Sequence, residues 1–140
     1  MADPSGQQTL VLLKPDTLRR GLAGTVLARF ESKGLVVVRA ELRTIDGAFA
    51  DRHYAEHLER AFYPPLRAFI TSGPLLALVL GGNAAVDVVR TLIGPTDGRA
   101  APAGTVRGDF SLSNRENLVH ASDSVDSARR EIGLWFPELV

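Results

Sequence analysis

The chain of 140 residues contains no cysteine. That excludes a disulfide framework, a thiolate metal site and a cysteine nucleophile, and it suits a reducing compartment. Charge of one sign is missing too: 16 Lys+Arg balance 16 Asp+Glu. The whole-molecule field therefore offers no general attraction to nucleic acid or to an anionic membrane, and any anion site must be local. Aromatic residues are scarce at 6%, and no basic run interleaved with aromatics is present, so a nucleic-acid platform is not expected as the main function. No apolar run approaches the ~18 residues of a membrane span, and Met1 to Gln8 lacks the basic and apolar regions of a signal peptide. A soluble, cytoplasmic protein is the expectation. Neither Gly-x-x-x-x-Gly-Lys-Ser/Thr nor Gly-x-Gly-x-x-Gly occurs, so if nucleotide binds, side chains must hold its phosphates.

What is present reads as one domain over 1–140, with 1–8 expected to be a flexible N-terminus. A chain of this length buries roughly 68–70% of its unfolded surface without staples. Thr9 to Leu13 is too short an apolar run for a helix and predicts a buried strand, ended by Lys14-Pro15-Asp16. Leu22, Val26, Leu27 and Phe30 recur at helical spacing up to a stop at Gly34. A valine-rich strand follows over Leu35 to Leu42. Phe49, Tyr54 and Leu58 suit an amphipathic helix, and Pro64-Pro65 opens another through Leu66 and Phe69. After the Ser72-Gly73-Pro74 turn, Leu75 to Leu80 is a third buried strand. Asn83 is the expected cap of a helix carrying Val86, Val89 and Ile93 on its apolar side. A loop from Pro95 to Gly104 precedes a short fourth strand, Leu118-Val119, ending at His120. Ser122 or Asp123, then Ser124, supply capping oxygens for a helix over Val125 to Ile132. This order predicts an α/β (α+β) domain of the ferredoxin-like split βαβ plan: a four-stranded antiparallel sheet with helices covering one face.

His120 is the candidate covalent catalyst. A neutral imidazole attacks through one nitrogen while the other keeps the proton, and its unperturbed pKa of about 6.5 leaves both forms accessible. Glu131 lies about two helical turns beyond Ser124, within reach of the Ser122 hydroxyl or the imidazole. Lys14 at a strand terminus, Arg90 late in a helix with Thr96 just beyond, and Arg107 in a Gly-bounded turn are the cations available for phosphate.

Lys14-Pro15-Asp16, Arg20-Gly21, Ser72-Gly73-Pro74, Arg90, Gly94-x-Thr96, Gly104-Thr105-Val106-Arg107-Gly108-Asp109-Phe110, Asn117-Leu118-Val119-His120-x-Ser122-Asp123-Ser124 and Glu131-Ile132-Gly133-Leu134-Trp135-Phe136 together resemble the nucleoside diphosphate kinase family, from about Thr9 to Phe136 without a gap. The resemblance implies reversible transfer of the γ-phosphoryl group from ATP or another nucleoside triphosphate to a diphosphate such as GDP, through phospho-His120, with Nδ1 as the free nitrogen. It implies that Lys14, Arg90, Thr96 and Arg107 contact phosphates, that Asn117 with Lys14 meets the sugar, and that Phe62 faces the base. Tyr54 matches the tyrosine near the nucleophile; Ser122 and Glu131 match the residues that orient it. The cofactor implied is Mg2+, held mainly by nucleotide phosphates, with Asp123 contacting it at most through water. A homo-oligomer, tetramer or hexamer, is implied as well.

Two departures bear on this. Ala121 stands where the family usually has glycine, and positive φ there would cost alanine about a kcal/mol or more and lower turnover. The loop Pro95 to Gly104 has Gly98 and Ala103 at positions where relatives often have proline, and this loop commonly contributes to subunit contacts. Two other functions fit less well. A regulatory nucleotide-binding module has no need of the nucleophile, and a structural or nucleic-acid-binding protein lacks the basic surface.

Overall fold

A computed structural model describes residues 6–140. Of the expected flexible N-terminus, residues 1–5 lie outside the described residues, while Gln7 and Gln8 open the first strand. Four strands, β1 (Gln7–Leu13), β2 (Val36–Arg43), β3 (Leu75–Gly82) and β4 (Val119–Ala121), form one antiparallel sheet in the order β2-β3-β1-β4. With β1 and β3 at the centre, this is the expected ferredoxin-like arrangement.

Helices cover both faces of the sheet rather than one. The reason is in the central strands, which carry apolar residues on both sides of the pleat, so each face needs cover. Val11, Leu13, Leu78 and Leu80 pack with Val26 and Phe30 of α2 (Ala23–Lys33) and with Val89 and Ile93 of α5 (Ala85–Ile93). On the other side, Leu10, Leu12, Ala77 and Val79 meet Ala50 of α3 (Gly47–His53), Ile70 of α4 (Tyr63–Ile70) and Ile132 and Trp135 of α7 (Val125–Trp135). Each leucine so buried contributes roughly 1.5–3 kcal/mol relative to exposure. β4 reads its register from this core, placing His120 opposite Leu12.

Several local expectations need correction. The helix expected to run from Phe49 through Leu58 stops at His53, and a single tight turn, Ala55–His57, follows; Leu58 is 48% exposed. Asp46 caps the start of α3, its carboxylate accepting from Phe49 N–H at 2.8 Å. At the other end Arg130 donates to the carbonyls of Arg52 (3.3 Å) and His53 (2.8 Å), supplying partners that the last turn of a helix lacks. Asn83 does not cap α5. The cap is Ala84 in a left-handed conformation, and the side chain of Gln7 accepts from Val86 N–H at 2.9 Å instead. Two short helices were not foreseen, α1 (Pro15–Arg19) and α6 (Val106–Phe110), the latter capped by Thr105, whose hydroxyl accepts from Gly108 N–H at 2.9 Å. β4 runs one residue past His120. Gly34 does end α2, in the left-handed region at φ 106°.

Candidate active site

β4 and α7 meet so that His120 Nε2 lies 2.8 Å from Glu131 Oε1. The same oxygen accepts from the Ser122 hydroxyl at 2.9 Å, and that hydroxyl in turn accepts from Leu10 N–H at 3.3 Å, anchoring the group to the central strand. Ser124 begins α7, its hydroxyl accepting from Ser127 N–H at 3.0 Å, which sets the helix phase that brings Glu131 inward. A carboxylate partner requires the hydrogen on Nε2. Nδ1 therefore carries the lone pair, and among the described residues it has no hydrogen-bond partner.

The cations gather on one side of the ring. Lys14, at the end of β1, is buried and donates to Asn117 Oδ1 at 2.8 Å. Burial first, then the Arg107 guanidinium, push its pKa down to about 8, with Asp16 acting in the opposite direction. Arg107 reaches in from α6 and is held by three carbonyls, Gly94 at 2.9 Å, Asn117 at 3.2 Å and Val119 at 2.6 Å. Its own pKa falls to about 10, through burial and then Arg90. Arg90 Nη1 donates to Ala121 O at 3.4 Å, and Asn117 Nδ2 donates to Thr96 O at 3.0 Å. Three positive groups confined together leave a field that a polyphosphate can neutralise.

Leu118 has φ 76° although it is not glycine. Val119 N–H donates to Asn117 O at 2.9 Å across it, closing a strained three-residue turn. Asp16 Oδ2 accepts from Leu118 N–H at 3.1 Å, and the Thr17 hydroxyl donates to Leu118 O at 2.6 Å. The strain has a visible result: the carbonyls on either side of Leu118 both turn onto Arg107. Ala121, by contrast, pairs with Val11 inside β4, and the non-glycine residues with positive φ among the described residues are Ala84 and Leu118. The premise of a strained Ala121 does not hold.

These groups line a cavity of about 280 Å³ that contains His120, Tyr54, Thr96 and Asp123. Tyr54 stands 6.4 Å from His120, ring to ring, and burial, then Glu131 and Tyr63, raise its hydroxyl above the ordinary tyrosine range. A second cavity, about 590 Å³, adjoins the first through Lys14, Thr96 and Asn117, and Phe62 stands on its wall with Leu112. All ten site residues read from the sequence thus fall on or directly behind these two spaces, Ser122 being the one behind. Sequence reasoning missed His53, whose ring lies 4.6 Å from that of His120, and Asp16 and Thr17 behind the strained turn. The adjacent pair His53-Tyr54 was a signal, but only a helix that ends there turns both toward the site. It also missed the role of Gly98: a Cβ there would run into the Ser111 carbonyl, so the loop approaches α6 too closely for proline.

His53, His120 and Glu131 offer ligand atoms within 4.8 Å of one another. Imidazole nitrogens do not suit Mg2+, which prefers oxygen and keeps its water, and the Glu131 carboxylate is already bonded to His120 and Ser122. The Asp123 carboxylate at the cavity wall does; a bond from Ser127 foremost holds its pKa below the usual range.

A family model for nucleoside diphosphate kinase matches residues 7–139. The chain belongs to the nucleoside diphosphate kinase family. A relative of that name from Nocardioides sp. is 67% identical over 94% of this chain and 98% of its own, and one from Cutibacterium acnes is 56% identical over 96% and 97%. Among solved structures, a halophilic nucleoside diphosphate kinase from Halobacterium salinarum in complex with CDP superposes with a TM-score of 0.91 at 44% identity, covering 94% of this chain and 88% of that one. A family protein from Babesia bovis superposes with a TM-score of 0.90 at 40% identity, covering 94% and 90%. The activity of the family is the chain's: reversible transfer of the γ-phosphoryl group between nucleoside tri- and diphosphates, in two steps through a phosphohistidine.

Proposed function

We propose that His120 is the residue phosphorylated, with Nδ1 as the attacking atom. The observation that carries this is the 2.8 Å contact of Nε2 with Glu131, itself bonded to Ser122, which leaves the lone pair on the nitrogen not tied to the protein. Nδ1 forms the N–P bond as the bond from the γ-phosphorus to its bridging oxygen breaks, and the diphosphate leaves with that electron pair. A second diphosphate takes the group by the reverse path. Phosphoryl transfer spreads charge over oxygens in a loose transition state, so positioning and positive donors supply most of the acceleration. Lys14, Arg90 and Arg107 are those donors here, with the Thr96 hydroxyl beside them and Tyr54 beside the ring.

The remaining assignments follow the shared walls. Lys14 and Asn117, bonded to each other between the two cavities, meet the sugar, and Phe62 presents its ring to the base. Stacking ignores base identity, which supports broad acceptance; the Halobacterium relative holds CDP. Mg2+ is the divalent ion assigned; it would be held mainly by the nucleotide phosphates, with Asp123 reaching it through water, and it would supply positive charge against the phosphates. The chain acts as one domain, as a cytoplasmic homo-oligomer, tetramer or hexamer. No helix among the described residues is long and apolar enough to cross a membrane.

The test is incubation of the protein with γ-labelled ATP and magnesium beside His120→Ala, followed by a chase with unlabelled GDP. Acid-labile, base-stable label on the wild type alone, moving to GTP, is the expected result. Nucleotide binding without label would overturn the assignment in favour of a regulatory nucleotide-binding module.

A further inference from the structure

His53 ends α3 and is 3% exposed, yet nothing in the steps above uses it. Its Nδ1 accepts from Trp135 Nε1–H at 3.0 Å, which places the ring's own hydrogen on Nε2. That Nε2 has neither a hydrogen-bond partner nor solvent. Native interiors rarely leave a buried polar group so, and a phenylalanine would fill the same space without the orphan. The ring stands edge to face against two neighbours, His120 at 4.6 Å and 78° and Tyr54 at 4.6 Å and 80°. Desolvation by burial, and then the positive or titratable groups around it, His120, Arg130, Lys14 and His57, hold its pKa well below the ordinary histidine range, so it stays uncharged beside the nucleophile.

One hydrogen bond through Nε2 does not orient an imidazole completely. The terminal torsion of a histidine is broad and roughly two-fold, so the ring can rock about the bond to Glu131. A rigid group packed against the ring removes that freedom, at a separation typical of edge-to-face pairs. We propose that His53, fixed in one tautomer by Trp135, is a positioning residue that sets the plane of the His120 ring, keeping Nε2 on Glu131 and Nδ1 toward the cavity. The backbone supports the placement, because Arg130 from α7 holds the His53 carbonyl at 2.8 Å and so ties α3 to the helix that carries Glu131 and Trp135. His53 lines the same cavity as His120 and acts through it. This inference rests on His120 being the phosphorylated residue.

The test uses single-turnover phosphorylation by ATP and magnesium, ADP affinity measured separately, and imidazole 15N spectra, which are tractable because the chain has 3 histidines. In His53→Phe the phosphorylation rate constant is expected to fall about 10- to 100-fold, as small misplacements do, with ADP affinity within about twofold of wild type. The His120 signals should move from a single tautomer toward a mixture. Trp135→Phe keeps the His53 ring but frees its tautomer; the His53 signals should average, with a loss of about 3- to 10-fold in rate. A folded His53→Phe with unchanged rate and unchanged His120 spectrum overturns the proposal. So does a parallel loss of rate and ADP affinity, which would mean general collapse of the pocket. If His53→Phe does not fold, Trp135→Phe decides: averaged His53 signals with an unchanged rate also overturn it. Failure of wild type to form phosphohistidine would instead sink the assignment of His120, on which this rests.

Discussion

The surroundings of His120 and the neighbouring cavity beside Phe62 share Lys14, Thr96 and Asn117, yet their walls are made differently. Around His120 the supports are buried and bonded in series, from Leu10 on the central strand through Ser122 to Glu131. Around the second cavity, Phe62 is 48% exposed and Leu112 87% exposed. The difference follows the chemistry. Phosphoryl transfer needs atoms placed within a fraction of an ångström, whereas a base need only find a flat face.

The comparison breaks hardest at Arg107, which belongs to the rigid side twice, as the bolt between three carbonyls and as the phosphate donor proposed above. Arg107→Ala is expected to lower kcat/KM by about 10²-fold or more and to cost about 3 kcal/mol of stability, because buried carbonyls lose a charged partner. Steady-state kinetics with chemical denaturation would show both; a change confined to KM would separate the two roles and count against the bolt.

A titration sharpens the boundary between the regions. Lys14, with its pKa near 8 rather than the ordinary lysine range, loses its charge as pH rises through about 8. ADP affinity of the free protein should then weaken by up to about tenfold per pH unit above that point. Lys14→Gln should flatten the profile. The sign for folding is opposite: between about 8 and 10.5 the unfolded chain binds the extra proton, so this group's contribution to stability rises with pH across that window. Affinity that holds to pH 10 would mean that Asp16 offsets the burial completely.

On the open side a smaller effect is expected. Phe62→Ala should raise KM for diphosphates about threefold to tenfold, alike for purines and pyrimidines, with kcat nearly unchanged. A selective loss for one base would show that Ser113 or Asn114, on the same wall, reads base edges. The smallest effect is at Ala121. Because it sits in ordinary strand conformation opposite Val11, Ala121→Gly should give no gain in phosphohistidine formation and a loss of roughly 0.5–1 kcal/mol in stability.

The parts of the fold that were legible are those whose periodicity is strong. Thr9 to Leu13 and Leu75 to Leu80 read as buried strands because apolar runs of that length have few alternatives, and the stop at Gly34 read correctly because αL favours glycine. What failed was punctuation without a residue signal. The end of α3 at His53 depends on Arg130, 77 positions away, and the cap of α5 depends on Gln7, 79 positions away. The one-face expectation failed because an apolar run does not say how many helices will cover it.

Within the site, residue types and their order, read with the family resemblance, singled out His120, Glu131, Ser122 and the cations as candidates, and the structure brings them to one cavity or directly behind it. Only the tertiary structure could decide that His53 stands against His120, and that Asp16 and Thr17 hold Leu118 at φ 76° so that two carbonyls meet on Arg107. Composition, spacing and motif by themselves determined the chemistry available to this chain. The plane of a ring, the tautomer of a buried imidazole and the strain in a turn are set by groups about a hundred residues apart, and those meet only when the sheet closes.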